Sequence, residues 1–124
     1  MLAMIETVTE NVLQPVLVTF KHSALTRADI GKPVKVSAND TVQLAADGNA
    51  FDGILATVET GVCGVLVSGD VTLEYSGSDP DTGFQPLVAA TGGKVKLEGS
   101  PLDYNYWQVW WVDTTEKKVR FRLP

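Results

Sequence analysis

Three places in the chain carry residue types capable of chemistry: His22, Cys63 and the loop Asp79-Pro80-Asp81-Thr82-Gly83. A nucleophile needs a base and a third group to orient that base. His22 is the only histidine and stands at the entry to a polar loop, which favours a surface role over that of a base. Cys63, the only cysteine, lies in the apolar run GVCGVLV with no base nearby in sequence. That setting predicts a buried, unreactive thiol. One cysteine also excludes an intrachain disulfide and a multi-cysteine zinc site. Calcium requires several carboxylate and carbonyl oxygens. The Asp79–Gly83 loop lacks a third acid, has its glycine one place early and offers no suitably spaced glutamate, so it reads as a turn rather than an ion site. Gly92-Gly93-Lys94 lacks the phosphate-loop spacing and the Ser/Thr that should follow the lysine. Asn39-Asp40-Thr41 is a glycosylation sequon, relevant only to a secreted eukaryotic protein. None of the 15 acids is singled out as half of an acid–base pair. These residues predict neither an enzyme nor a bound cofactor.

Two features point to binding instead. The run Tyr104-Asn105-Tyr106-Trp107-Gln108-Val109-Trp110-Trp111 holds all three tryptophans and two of the three tyrosines. On a regular strand Tyr104, Tyr106 and Trp110 face one way, and Trp107, Val109 and Trp111 the other. A strand apolar on both faces must be covered on both. One cover is the protein's own core. The other is either an arm or loop of this chain, or a subunit or partner, since tyrosine and tryptophan favour interfaces. The second feature is Lys118-Val119-Arg120-Phe121-Arg122-Leu123. Val119, Phe121 and Leu123 form its inward face, and Lys118, Arg120 and Arg122 a basic outward one. That basic face either guards a strand edge by charge or docks an acidic surface.

Strands must position these residues. Between Gly31 and Leu55, Val34, Val36, Val42, Leu44, Phe51 and Ile54 alternate with polar residues. Turn chemistry at Ser37–Asp40 and Asp47–Asn49 separates the runs. Strands are predicted over Pro15–Phe20, Val34–Ser37, Thr41–Ala45, Phe51–Val58, Val62–Val67, Val71–Tyr75, Pro86–Ala90, Lys94–Glu98, Tyr104–Val112 and Lys118–Leu123. Gly53 marks a bulge or a close backbone approach. Ser68-Gly69-Asp70 is taken as a hairpin turn, and Ser76–Gly83 as the longest loop. Thr26-Arg27-Ala28-Asp29 starts one short helical turn, ended by Gly31 and Pro33. Residues 1–14 have no sustained period and are expected to form an extended arm, with a possible short strand at Met4–Val8; residues 15–124 form a single β domain. Such a series of short strands predicts an all-β barrel or sandwich.

Composition sets wider limits. At 124 residues, 44% apolar and 20% charged, the chain matches one ordinary globular domain. Residues 1–116 carry all 15 acids against six bases, whereas Lys117–Arg122 holds the other four bases. The acidic body argues against nucleic-acid binding. The first residues, MLAMIETVTENV, lack a basic leader region. No apolar run approaches the roughly 20 residues of a membrane span. A soluble protein made in a cytoplasm is expected.

The order of these pieces resembles the bacteriophage capsid cement, or head decoration, proteins. The resemblance is carried by ALTRADIGKPVKVSANDTVQLAADGNAFDGIL from Ala24 and by VLVSGDVTLEYSG from Val65. It continues through Pro86-Leu87-Val88-Ala89, Gly92-Gly93-Lys94-Val95-Lys96 and the hairpin from Val112-Asp113, about residues 24–123 in all. It implies a small, non-catalytic all-β protein that forms a homotrimer on the exterior of an icosahedral phage head. Its partner would be the major capsid protein, whose subunits it clamps, with an N-terminal arm pairing with capsid strands. It assigns no individual contact residues. The aromatic run and the acidic loop at 76–83 are particular to this chain. The expected interface is therefore read from the residues alone: Tyr104, Tyr106, Trp107, Trp110, Trp111, Lys118, Arg120 and Arg122. The alternative function is a sugar- or host-surface-binding β module of a phage virion, and it expects Trp107 or Trp110 to be open to solvent.

Overall fold

A computed structural model describes residues 15–99 and 106–123. The predicted arm at 1–14, with its strand at Met4–Val8, and Tyr104 lie outside the described residues. Ten strands are present: β1 (Val16–Lys21), β2 (Pro33–Ala38), β3 (Thr41–Leu44), β4 (Gly53–Glu59), β5 (Val62–Glu74), β6 (Gly83–Gln85), β7 (Leu87–Ala90), β8 (Lys94–Leu97), β9 (Trp107–Asp113) and β10 (Lys118–Leu123). The protein is all-β, and β1-β3-β2-β4-β5 close into a five-stranded barrel. The predicted helical turn is a single 3-10 turn at Arg27–Asp29. The Asp29 carboxylate accepts from Thr26 N at 2.9 Å, and Asp29 N donates to Thr26 O, which closes the expected N-terminal cap.

The barrel core is aliphatic: Leu25, Val34, Val42, Leu55, Val65 and Cys63 are buried, with Phe20, Val58 and Val67 packed around them. Gly53 is needed where β4 crosses β5. A Cβ there would lie 2.5 Å from Leu66 O and 2.6 Å from Val65 Cγ1, so the close approach read from sequence is present.

The predicted hairpin at Ser68–Asp70 does not form. β5 runs unbroken for 13 residues. Val62–Ser68 pairs with β1 and β4, and Gly69–Glu74 pairs with β10. Each half of the strand thus finds its partners elsewhere in the chain rather than in the other half. Gly69, at φ +130°, supplies the local bend. β5 thereby leaves the barrel and enters a second sheet of order β5-β10-β9-β6. A strand missed in sequence, β6, forms the far edge of that sheet: only three residues long, it follows directly on the acidic loop.

Aromatic rings fill the second core. Phe51 stacks on Trp107 with centroids 4.8 Å apart and planes 4° apart. Phe121 meets both rings edge-on, at 6.1 and 5.9 Å. Both arrangements are favourable ring geometries. The Trp107 indole N–H donates to Leu87 O at 3.1 Å, so its polar atom is satisfied in the core. Ile54, Tyr75, Leu87, Ala89, Val95, Val109, Val119 and Leu123 complete the cluster. The β7-β8 hairpin closes it from one side. The turn at Asp47–Asn49 ties this hairpin to the barrel: Gly48 N donates to Ala89 O, Ala89 N to Asn49 O, and Asp47 accepts from Thr91 N and Lys96 Nζ.

Candidate functional site

His22, Cys63 and Asp79 each have a structural role. Leu25 N donates to His22 Nδ1 at 3.2 Å, so Nε2 carries the proton and donates to Glu59 O at 2.7 Å. This pair of bonds pins the loop after β1 to the end of β4. Cys63 is 3% exposed in the barrel core, where burial pushes its thiol pKa up. Asp79 does not open toward an ion. Its Oδ1 accepts from the Tyr75 hydroxyl at 2.6 Å and from Lys117 Nζ at 2.9 Å, and both bonds hold its carboxyl below the ordinary range. Burial, followed by the Asp79 carboxylate, pushes Tyr75 up to about 12. Lys117 also donates to Gly77 O and lies 5.0 Å from the centre of the Tyr75 ring. The 76–83 loop is therefore anchored at its base. Among the described residues no three His, Cys, Asp or Glu side chains converge to hold a metal.

The aromatic and basic features, separate in sequence, are neighbours in space. β9 and β10 pair antiparallel, with Arg122 opposite Gln108 and Arg120 opposite Trp111. The register slips by one residue between these pairs, because Val109 faces Phe121 and Trp110 has no opposite number. That β-bulge changes the parity of the strand. Trp107 and Val109 point into the core, whereas Trp111 is 43% exposed. The expectation that Trp107, Val109 and Trp111 share a face is therefore corrected. Trp107 belongs to the core, Trp110 is half-buried at the bulge, and Trp111 stands outside.

The outer face of this sheet can be followed row by row. Phe84 on β6, Gln108 on β9, Arg122 on β10 and Asp70 on β5 lie side by side. Trp111, Arg120 and Thr72 form the next row, and Asp113, Lys118 and Glu74 the one after. Tyr106 extends the first row's strand and is exposed, as is Phe84 at 67%. Phe84, Tyr106, Gln108 and Arg122 line a cleft of about 220 Å³. Lys32, Lys94, Lys96 and Lys117 each hold an ion pair, while Lys118, Arg120 and Arg122 have none among the described residues. The cross-strand position of Asp70 does not bring its carboxylate within ion-pair distance of Arg122. Phe84 escaped the sequence reading because a single aromatic after a turn-rich loop has no periodicity to mark it.

A second surface lies on the barrel. β1 pairs with β5 along its whole length, but with β3 only at Lys21 opposite Thr41. Val16, Leu17 and Val18 are all exposed, at 46, 53 and 39%. From Val16 to Phe20 the second edge of β1 meets no strand among the described residues. A scan against protein-family models and a search of curated proteins match nothing to this chain.

Proposed function

We propose that this protein is a phage capsid decoration protein, which binds the exterior of an icosahedral head and stabilises it by bridging major capsid protein subunits. The observation that carries the reading is the edge of β1 that, from Val16 to Phe20, meets no strand among the described residues. Natural edge strands are blunted by charge, proline or a covering element. Val16, Leu17 and Val18 carry no charge, and the first base on the strand is Lys21. Such an edge offers backbone hydrogen bonds and apolar side chains to an extended segment of another chain. Residues 1–14 lead directly into β1, the place where the sequence resemblance puts an arm that pairs with capsid strands. A homotrimer with one such edge per copy holds a shell by avidity even where each contact is weak.

Binding of the purified protein to expanded heads and to unexpanded precursors, with native mass spectrometry of the free protein, tests the reading. Trimers that bind expanded heads are expected. Leu17→Lys should weaken head binding at least about tenfold, since it puts a charge on an apolar contact, while the melting temperature stays within error. Failure of the unmodified protein to bind either kind of head would overturn the function. Undiminished binding by the variant would overturn β1 as the docking edge.

A second reading, a sugar-binding β module of a virion, is favoured by one observation. Phe84, Tyr106 and Trp111 stand exposed on the sheet away from β1. The tryptophan it relies on is Trp111, since Trp107 is only 3% exposed.

A further inference from the structure

We propose that the cleft between Phe84 and Arg122 binds a sugar ring bearing a carboxylate. The inference rests on the second reading above and does not depend on docking through β1. Side chains from β6, β9 and β10 meet here with that of Tyr106, which precedes β9, each with a distinct chemical contribution. Phe84 and Tyr106 contribute exposed rings to the lining of a space of about 220 Å³, enough for one ring rather than a drug-sized ligand. An aromatic face is apolar and electron-rich, so it accepts the C–H face of a pyranose. Gln108, between the rings and the arginine, has an amide that donates from nitrogen and accepts at oxygen. It can serve two neighbouring hydroxyls, one in each direction.

Arg122 makes the ligand acidic rather than neutral. Its guanidinium is planar and carries a fork of donors matched to a carboxylate. It is exposed and has no ion pair among the described residues, and Arg120 and Lys118, likewise without one there, lie along the same strand face. The nearest acid by register is Asp70. That carboxylate holds no ion pair with the guanidinium, so its charge lowers the affinity for an acid without blocking the site. At a net charge of −5 the protein as a whole repels polyanions, and attraction must come from this local face. Screening by salt should therefore weaken binding.

Titration of the full-length protein with a galacturonate tetrasaccharide, against a neutral glucose tetrasaccharide of equal length, tests the proposal. Trp111 on the same face provides a fluorescence signal, and chemical-shift mapping locates the site. The acidic oligomer should bind at least about tenfold more tightly than the neutral one. Arg122→Gln should abolish that preference. Phe84→Ala should weaken both oligomers, and Asp70→Asn should tighten the acidic one. All three residues are exposed, so circular dichroism should show each variant folded. Equal affinity for the two oligomers, absence of binding to both, or acid preference that survives Arg122→Gln would overturn the proposal. So would binding of a glutamate-rich peptide with none of the acidic sugar, which would assign the face to a protein partner. Head binding measured in parallel keeps the two proposals separate, because Arg122→Gln leaves β1 untouched.

Discussion

The barrel and the aromatic sheet share β5, yet they leave different things unsatisfied. The barrel packs small branched side chains around a narrow interior and closes at one residue pair, Lys21 with Thr41. What it leaves over is backbone: from Val16 to Phe20 one edge of β1 meets no strand among the described residues. The sheet buries its inner face under the β7-β8 hairpin and packs three rings together in its core, two stacked and one edge-on. What it leaves over is side chain: rings and guanidinium groups on an outer face whose central strands, β10 and β9, are paired on both sides. An open edge asks for an extended strand and is indifferent to much of its sequence. A face of rings and arginines asks for a flat or charged ligand and depends on each side chain. The molecule thus carries two surfaces that select partners by different physics.

The largest test of this contrast sets two tryptophans of one strand against each other. Trp107→Ala should cost about 3–5 kcal/mol, the range for emptying an aromatic site in a core. Trp111→Ala should stay within about 0.5 kcal/mol, as surface changes do. Urea denaturation of both variants measures the difference, and equal losses would erase the distinction between core and face. Next in size is Gly53→Ala in the barrel. The new methyl would meet Leu66 O at 2.5 Å, a rigid backbone atom, so a loss of about 1–3 kcal/mol is expected. Thermal melts should show it, and an unchanged melting temperature would mean that β4 and β5 separate freely there.

Tyr75 links the sheet to its acidic loop and gives a pH signature. Its folded pKa is raised, so the unfolded chain loses this proton first as pH rises. The associated stability is complete below pH 10 and should be lost between pH 10 and about 12. Tyr75→Phe should flatten that part of the stability profile. The smallest effect is at the other end of the scale. Asp79 and Asp47 titrate below the ordinary carboxylate value because of their bonds to Tyr75 and Lys117, and to Lys96 and Thr91. Their contribution is present above about pH 4 and fades as pH falls through their lowered values. Both groups are half exposed, so water and salt screen it. Melting curves of Asp79→Asn and the unmodified protein should converge at low pH; a constant gap would show that the ion pair plays no part.

Much of the fold was legible before any coordinates. Eight of the ten strands fall where alternation and turn chemistry put them, and β5 joins two that were predicted apart, because a period of two with Gly, Asn and Asp breaks is a local property. The cap at Thr26–Asp29 and the close approach at Gly53 were legible for the same reason. The Ser68–Asp70 turn was misread because glycine permits a bend as readily as a reversal, and the choice depends on which strands lie alongside. The candidate site was half visible. Its bases and tryptophans stood out by composition, while Phe84 and the change of parity at Trp110 did not, since a bulge exists only between two paired strands.

The amino-acid sequence by itself determined an all-β chain, an acidic body with a basic last strand, and one short run holding every tryptophan. Tertiary structure alone decided that β5 spans two sheets, that Trp107 is core while Trp111 is surface, that Phe84 joins Arg122, and that β1 meets β3 at a single residue pair. The physical reason is range. Propensity and alternation act within a few residues, whereas register, bulges and free edges are settled by which distant strands pair.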